Sequence, residues 1–98
     1  MVNVLLIEDD KDMCRLLSTF LANYHMRVIE APDGKTALSK LAGERVDIIV
    51  LDLMLPDIDG LELCRTIREK SDTPIIISSA KGDLGNKIIG LSLEPMTI

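Results

Sequence analysis

The sequence is poor in aromatic residues and in cysteine. Only 2% of its 98 residues are aromatic, tryptophan is missing, and the two cysteines, Cys14 and Cys64, stand far apart. Two isolated cysteines exclude a disulfide framework, and without Cys or His neighbours at ligand spacing they exclude a zinc site. We interpret both as small, buried or half-buried apolar residues of helices.

Long apolar runs and a surplus of basic residues are also missing. No run approaches the roughly 20 apolar residues of a membrane span, and no charged-then-apolar leader precedes the first predicted strand. The net charge of −5 disfavours a nucleic-acid surface, which needs clustered Lys and Arg. We therefore expect a cytoplasmic protein that binds neither membranes nor nucleic acid.

Aliphatic residues, in contrast, are abundant and regularly arranged. Short aliphatic runs alternate with stretches of helical periodicity, which indicates successive βαβ units and a doubly wound parallel α/β sheet in one small domain. The runs predict strands at 4–7, 27–30, 46–51 and 73–79, the third of them buried on both faces. The periodic stretches predict helices at 13–24, 33–43, from Gly60 to 68 and at 83–93.

Acidic and hydroxyl side chains follow three of the predicted strands. Because the carboxyl ends of parallel strands meet at one edge of a sheet, we expect these side chains to lie together. Carboxylates crowded at one edge repel one another, and a hard cation with oxygen ligands, such as Mg²⁺, relieves the repulsion. The residues are Glu8, Asp9 and Asp10 after the first strand, Asp52 after the third, and Ser78 and Ser79 after the fourth.

The acids of the first strand have a second interpretation, since Asp9 or Asp10 could simply cap the first helix. Capping explains one acid but not three in a row facing a fourth, so we favour the metal site. A carboxylate beside Mg²⁺ can act as a nucleophile toward phosphorus and form an acyl phosphate. On the residues alone the nucleophile is Asp52 or an acid of the first strand; we favour Asp52, which stands alone among apolar residues.

Three segments resemble the receiver domain of bacterial two-component response regulators. They read NVLLIEDDKDMCRLL, IIVLDLMLPDIDGLEL and TPIIISSAKGD, and the similarity is closest to regulators that carry a winged-helix DNA-binding domain after the receiver. The resemblance runs from Val2 to Leu93. It implies a flavodoxin-like sheet of order 2-1-3-4-5, Mg²⁺-dependent phosphorylation by a sensor histidine kinase, and transcription regulation by a full-length parent.

The resemblance also implies a role for individual residues. It makes Asp52 the phosphoacceptor and a Mg²⁺ ligand, together with Asp9 and, through a water molecule, Glu8. It leaves Asp10 as a helix cap. Further matches are the backbone carbonyl of Met54 as a metal ligand, Ser79 as the switch hydroxyl, and Pro56, Gly60 and Ala80 as supporting residues.

The last residues depart from the family pattern. The family has a fifth strand carrying a lysine and an aromatic switch residue, whereas this sequence reads GLSLEPMTI where Leu-Gly-Ala-Asp-Asp-Tyr is typical. Deleting one G from the codons GGA GCC GAT GAC TAT yields Glu-Pro-Met-Thr and, if the next base is not G, Ile, which are the residues Glu94 to Ile98. We hypothesise a frameshifted, incomplete receiver domain over residues 1–98, with strand order 2-1-3-4, no fifth strand or helix, and no conserved lysine.

Such a chain would expose apolar surface and a strand edge. We expect self-association through the open edge of the fourth strand and through helix four, with Ile88, Ile89 and Leu91. One alternative function is therefore a truncated, self-associating fragment with impaired signalling. A more remote alternative is a Mg²⁺-dependent nucleotidyl-transfer domain of the topoisomerase–primase type, with Asp57 and Asp59 as its Asp-x-Asp pair; the pair's distance from the strand and the net charge disfavour it.

Overall fold

The computed structural model describes residues 1–52, 55–78 and 88–91. From the first strand to the fourth, strands and helices alternate as the hydrophobic pattern predicts, and their observed bounds differ from the predicted ones by a few residues. The elements are β1 (Asn3–Ile7), α1 (Lys11–Ala22), β2 (Arg27–Ala31), α2 (Gly34–Gly43), β3 (Ile48–Asp52), α3 (Gly60–Lys70), β4 (Ile75–Ser78) and β5 (Ile88–Leu91).

The strands form one sheet in the order β2-β1-β3-β4-β5, and β1 to β4 are parallel. The predicted doubly wound sheet of order 2-1-3-4 is therefore confirmed. Ile7 at the end of β1 pairs with Leu51 of β3, and Asp52 pairs with Ser78 of β4. This register places the carboxyl ends of β1, β3 and β4 side by side.

The hydrophobic core lies between the sheet and helices α2 and α3. Alternate strand residues point into it, among them Leu5, Ile7, Ile49 and Leu51, all of which are fully buried. Ala37 of α2 and Leu63 and Ile67 of α3 close the core from the other side. The core therefore rigidly supports the strand ends next to which the acidic residues lie.

The opposite face of the sheet is less completely covered. Ile48 and Val50 of β3 are only half-buried there, so the prediction that this strand is buried on both faces is wrong in part. Helix α1 packs beside β2 on this side, yet none of its residues is buried. The helix and the turn after it leave apolar side chains in solvent: Leu16, Phe20 and Tyr24 are 63%, 55% and 62% exposed.

The turn that follows helix α1 contains a residue with left-handed backbone geometry. His25 has a φ of 63°, its N–H donates to the carbonyl of Ala22 (2.9 Å), and the N–H of Met26 donates to that of Leu21 (3.3 Å). This pair of bonds is the Schellman arrangement, in which glycine is the usual residue at the left-handed position. The chain therefore turns toward β2 through a conformation that is costly for histidine.

Residues 88–91 correct the prediction of a fourth helix. They form β5, which pairs antiparallel with β4 through Ile76↔Leu91 and Ser78↔Ile88. A parallel crossover needs a dozen or more residues, whereas the nine residues 79–87 suffice for an antiparallel return. The sheet thus has a fifth strand that was not expected, and the edge of β4 that was predicted to be open is paired. Other residues of the predicted helix lie outside the described ranges.

Across the described ranges, every helix is too short or too polar to traverse a lipid bilayer.

Candidate metal centre

Three carboxylates meet at the carboxyl edge of the sheet. Glu8 and Asp9 directly follow β1, and Asp52 is the last residue of β3. One oxygen from each of the three lies within 4.8 Å of the others. The neighbouring positions of β1 and β3 in the parallel sheet bring them together, so the predicted convergence of these acids is confirmed.

The cluster is largely withdrawn from solvent. Glu8 is 7% and Asp52 3% exposed, while Asp9 is half-buried at the rim. The backbone N–H of Glu8 donates to the carbonyl of Ala31 in β2 (3.0 Å), and its Oε2 accepts from the N–H of Asp10 (3.1 Å). These contacts fix the Glu8 carboxylate in the cluster, since a buried carboxylate needs hydrogen bonds or a counter-charge.

Asp10 is directed away from the cluster. Its Oδ1 accepts from the N–H groups of Asp12 (2.9 Å) and Met13 (3.1 Å) and so caps the start of α1. This is the role predicted for Asp10, and it separates the third acid after β1 from the two that face Asp52. A carboxylate at this position also interacts favourably with the helix dipole.

The donor set suits a hard divalent cation. Two carboxylate oxygens no more than 4.8 Å apart, both ionised, repel by about 3 kcal/mol or more at an effective dielectric constant of roughly 20. An ion among the three oxygens converts this repulsion into attraction. Three carboxylate oxygens leave room in an octahedral shell for water or a backbone carbonyl, which matches the preference of Mg²⁺. The residues present therefore fit the predicted metal.

The other predicted site residues are only partly described. Pro56 is exposed in the loop after β3, and Gly60 is buried as the first residue of α3. Met54, Ser79 and Ala80 lie outside the described residues. The backbone of Ser78 pairs with Asp52 across β3 and β4, so the fourth strand does end beside the cluster, as predicted.

Asp57 and Asp59, the pair proposed for nucleotidyl transfer, belong to helix starts instead. Asp59 caps α3 by accepting from the N–H of Leu61 (3.4 Å). Asp57 accepts from the N–H groups of Gly34 (2.9 Å) and Lys35 (3.1 Å) at the start of α2. Neither joins the acidic cluster, so this alternative is wrong. The cap at Asp59 could have been predicted from the helix that follows it, but the bonds of Asp57 are long-range and leave no local signal.

An open groove of about 470 Å³ continues from Glu8 and Asp9 along α1. Cys14 lies in this groove, and burial, followed by the charge of Glu30, raises the pKa of its thiol. Neither Cys14 nor Cys64 forms a disulfide, and both are half-buried, which confirms their interpretation as partly buried apolar residues. A thiol with a raised pKa is a poor nucleophile, so the chemistry of this edge rests with the carboxylates.

Comparison with known proteins identifies the family to which the chain is similar. Residues 4–97 match the family described as the response regulator receiver domain. Response regulators ArlR from Staphylococcus epidermidis and Staphylococcus aureus are each 43% identical over 91 residues, which cover 93% of this chain and 42% of theirs. The chain thus spans about two-fifths of the length of these curated relatives.

Solved structures of the same class superimpose on the fold. A Francisella response regulator receiver domain gives a TM-score of 0.77 at 32% identity and covers 87% of this chain and 71% of its own. The BeF3-activated receiver domain of Klebsiella pneumoniae RstA gives 0.74 at 35% identity, covering 76% and 64%. Thermotoga maritima TrrA, in complex with Mg(2+)-BeF, gives 0.71 at 31% identity, covering 79% and 66%.

Proteins of this class are signalling modules that accept phosphate from sensor histidine kinases and bind Mg²⁺ at an acidic pocket. The parallel sheet of order 2-1-3-4 and the acidic cluster at its carboxyl edge agree with that description. The chain belongs to the response regulator receiver domain family and is a receiver module of two-component signalling.

Proposed function

We propose that Asp52 is the phosphoacceptor and that Mg²⁺ is held by Asp9 and Asp52 directly and by Glu8 through water. One observation carries the proposal: the three carboxylates converge within 4.8 Å at the edge of the sheet, and two of them are buried. Asp52 is the most buried of the three and ends a strand that hydrogen bonds on both sides. Its position is therefore the most rigidly fixed, as a nucleophile requires.

The proposed reaction transfers a phosphoryl group from a phosphohistidine of the kinase. An oxygen of the Asp52 carboxylate attacks phosphorus, the P–N bond to the imidazole breaks, and the imidazole takes up a proton. The product is an acyl phosphate on Asp52. Bound Mg²⁺ supplies positive charge to the transferring phosphoryl oxygens. The chain itself positions the nucleophile and keeps water away from it, because Asp52 lies between core strands.

Two relatives support this assignment. The TrrA structure contains Mg(2+)-BeF, and the RstA receiver domain is BeF3-activated. Met54 as a backbone ligand and Ser79 as a switch hydroxyl followed by Ala80 remain part of the proposal, with Pro56 and Gly60 shaping the loop. Small phosphodonors would allow phosphorylation without a kinase. Transcription regulation by a longer parent and a cytoplasmic location complete the proposal.

Phosphorylation with acetyl phosphate tests the assignment. Label uptake, measured by intact mass, is expected only when Mg²⁺ is present, and hydroxylamine should remove it, as it does from acyl phosphates. Asp52→Asn, which keeps the shape but not the nucleophile, should abolish uptake. The matched control is Asp59→Asn, since asparagine caps a helix as well as aspartate does; it should be labelled like the wild type. Equal labelling of both variants would contradict the proposal.

Self-association is a second proposal, resting on a different surface from the predicted one because the β4 edge is paired. The exposed side chains Leu16, Phe20 and Tyr24 form an apolar stripe on and just beyond α1, with the two rings 5.1 Å apart. Each contributes about 100 Å², and a stable interface needs roughly 800 Å² per partner. A second copy docked here would therefore give a weak dimer that dissociates on dilution in sedimentation experiments; a monomer at all concentrations would contradict it.

A further inference from the structure

The loop that leaves the acidic cluster is attached to a helix from another part of the chain. Asp57, in the segment between β3 and α3, directs both carboxylate oxygens at the start of α2. Its Oδ1 accepts from the N–H of Gly34 (2.9 Å) and its Oδ2 from the N–H of Lys35 (3.1 Å). These partners lie 23 and 22 residues earlier in the sequence. The first N–H groups of a helix have no partner within the helix, so the carboxylate satisfies two of them at once.

Helix α2 does not depend on Asp57 for its own cap. Asp33 is the N-cap residue and accepts from the N–H of Thr36 (2.7 Å). Two carboxylates therefore accept hydrogen bonds from the N–H groups at the start of α2, and they come from different parts of the chain. Asp33 closes the helix on itself, whereas Asp57 joins the helix to the loop after Asp52. A substitution at Asp33 therefore removes only a helix cap, whereas a substitution at Asp57 also removes the attachment of the loop.

An apolar contact reinforces the attachment. A Cβ on Gly34 would overlap the Cγ2 atom of Ile58, the residue after Asp57. Ile58 is half-buried and packs against the core, and Asp59 then caps α3. Residues 57, 58 and 59 thus contact α2, the core and α3 in turn, which leaves this part of the loop little freedom to move.

We propose that Asp57 is a positioning residue for the phosphoacceptor site. By clamping residues 57–59 to α2, it restrains the described end of the loop that leaves Asp52, so that less ordering is needed when Mg²⁺ or a phosphodonor binds. Ordering a free loop costs conformational entropy at each residue, and a clamp removes that cost before the ion or donor binds. The inference rests on the proposed function of Asp52.

The test compares Asp57→Ala with Asp33→Ala, which removes a carboxylate bond from the same helix start without touching the loop. Two quantities are measured for each: resistance to urea, and the Mg²⁺ concentration giving half-maximal phosphorylation by acetyl phosphate. Both variants should unfold at lower urea than the wild type. Only Asp57→Ala should raise the Mg²⁺ requirement, by about threefold to tenfold, somewhat below the effect of losing a partner that touches a metal ligand directly.

Asp57→Asn keeps one acceptor oxygen and should give an intermediate Mg²⁺ requirement, and it serves if the alanine variant folds poorly. Amide exchange at Gly34 and Lys35 should accelerate in both Asp57 variants. If Asp33→Ala and Asp57→Ala shift the Mg²⁺ requirement equally, Asp57 is only a second helix cap and the inference is overturned. A wild-type chain that shows no Mg²⁺-dependent phosphorylation overturns the proposed function and the inference together, whereas unchanged Mg²⁺ dependence in Asp57→Ala overturns the inference alone.

Discussion

Replacing Gly34 by alanine tests the close approach between α2 and the loop after the acidic cluster. The added Cβ would overlap Cγ2 of Ile58 and lie 3.4 Å from Oδ1 of Asp57. Because isoleucine is branched at Cβ, its Cγ2 methyl cannot move aside without a rotation about χ1, and few χ1 rotamers are available to it. The helix start and the loop must therefore separate.

The expected cost follows from this overlap. Forcing an extra methyl group into a packed contact costs about 1–3 kcal/mol, and each kcal/mol lowers the melting temperature of a domain of this size by about 4–8 °C. We expect Gly34→Ala to melt roughly 5–20 °C below the wild type. Urea unfolding followed by circular dichroism at 25 °C, with the slope checked for constancy, gives the free energy directly.

Gly43 provides the matched control at the other end of the same helix. A Cβ there would meet nothing within 4 Å, so Gly43→Ala should be neutral or stabilising by up to about 1 kcal/mol, the advantage of alanine in a helix. The two variants make the same chemical change to one helix and differ only in their surroundings. Equal stability of both would refute the argument that α2 is docked tightly on the loop.

Three further predictions concern single side chains. His25→Gly should stabilise the fold by about 1 kcal/mol in urea unfolding, because glycine adopts the left-handed conformation without strain; an unchanged midpoint would contradict this. Glu30→Gln should speed alkylation of Cys14 by iodoacetamide at fixed pH, because burial first and the Glu30 charge second raise the pKa of the thiol; a slower reaction would contradict it. The N–H bond from Thr36 lowers the pKa of Asp33 below its usual 3.8, so the stability that this carboxylate contributes is present above about pH 4 and lost as the pH falls through the folded pKa. The stability difference between wild type and Asp33→Asn, measured in urea, should therefore change only in that acid range, and an equal difference at all pH values would exclude this linkage.

The part of the fold that could be predicted from sequence is the part set by local pattern. The aliphatic run ending at Asp52 is too apolar for a surface strand, and its neighbours alternate with helices, so a parallel sheet follows. Parallel strands deliver their ends to one edge, which is why Glu8, Asp9 and Asp52 could be brought together without a structure. The resemblance to receiver domains then specified a role for each acid.

Features set by contacts distant in sequence could not be predicted. Ile88–Leu91 has the apolar content of a helix face, but pairing with β4 makes it a strand, and such pairing leaves no local signature. The helical spacing of Leu16 and Phe20 predicts α1 correctly yet not that both side chains stay exposed, since the pattern does not say what covers a face. The hydrogen bonds that Asp57 accepts from α2 could not be predicted either, because they join residues 22 and 23 positions apart.

The central claim is that Asp52 receives the phosphoryl group beside a Mg²⁺ ion that Asp9 and Asp52 bind directly and Glu8 binds through water. The most direct measurement locates the label after reaction with acetyl phosphate and Mg²⁺, by reducing the acyl phosphate with borohydride and identifying the modified residue by peptide mass spectrometry. Reduction converts a phosphorylated aspartate into homoserine. We predict homoserine at position 52 alone, in a Mg²⁺-dependent amount. Homoserine at position 9 or 10 instead, or undiminished labelling of Asp52→Asn, would contradict the account.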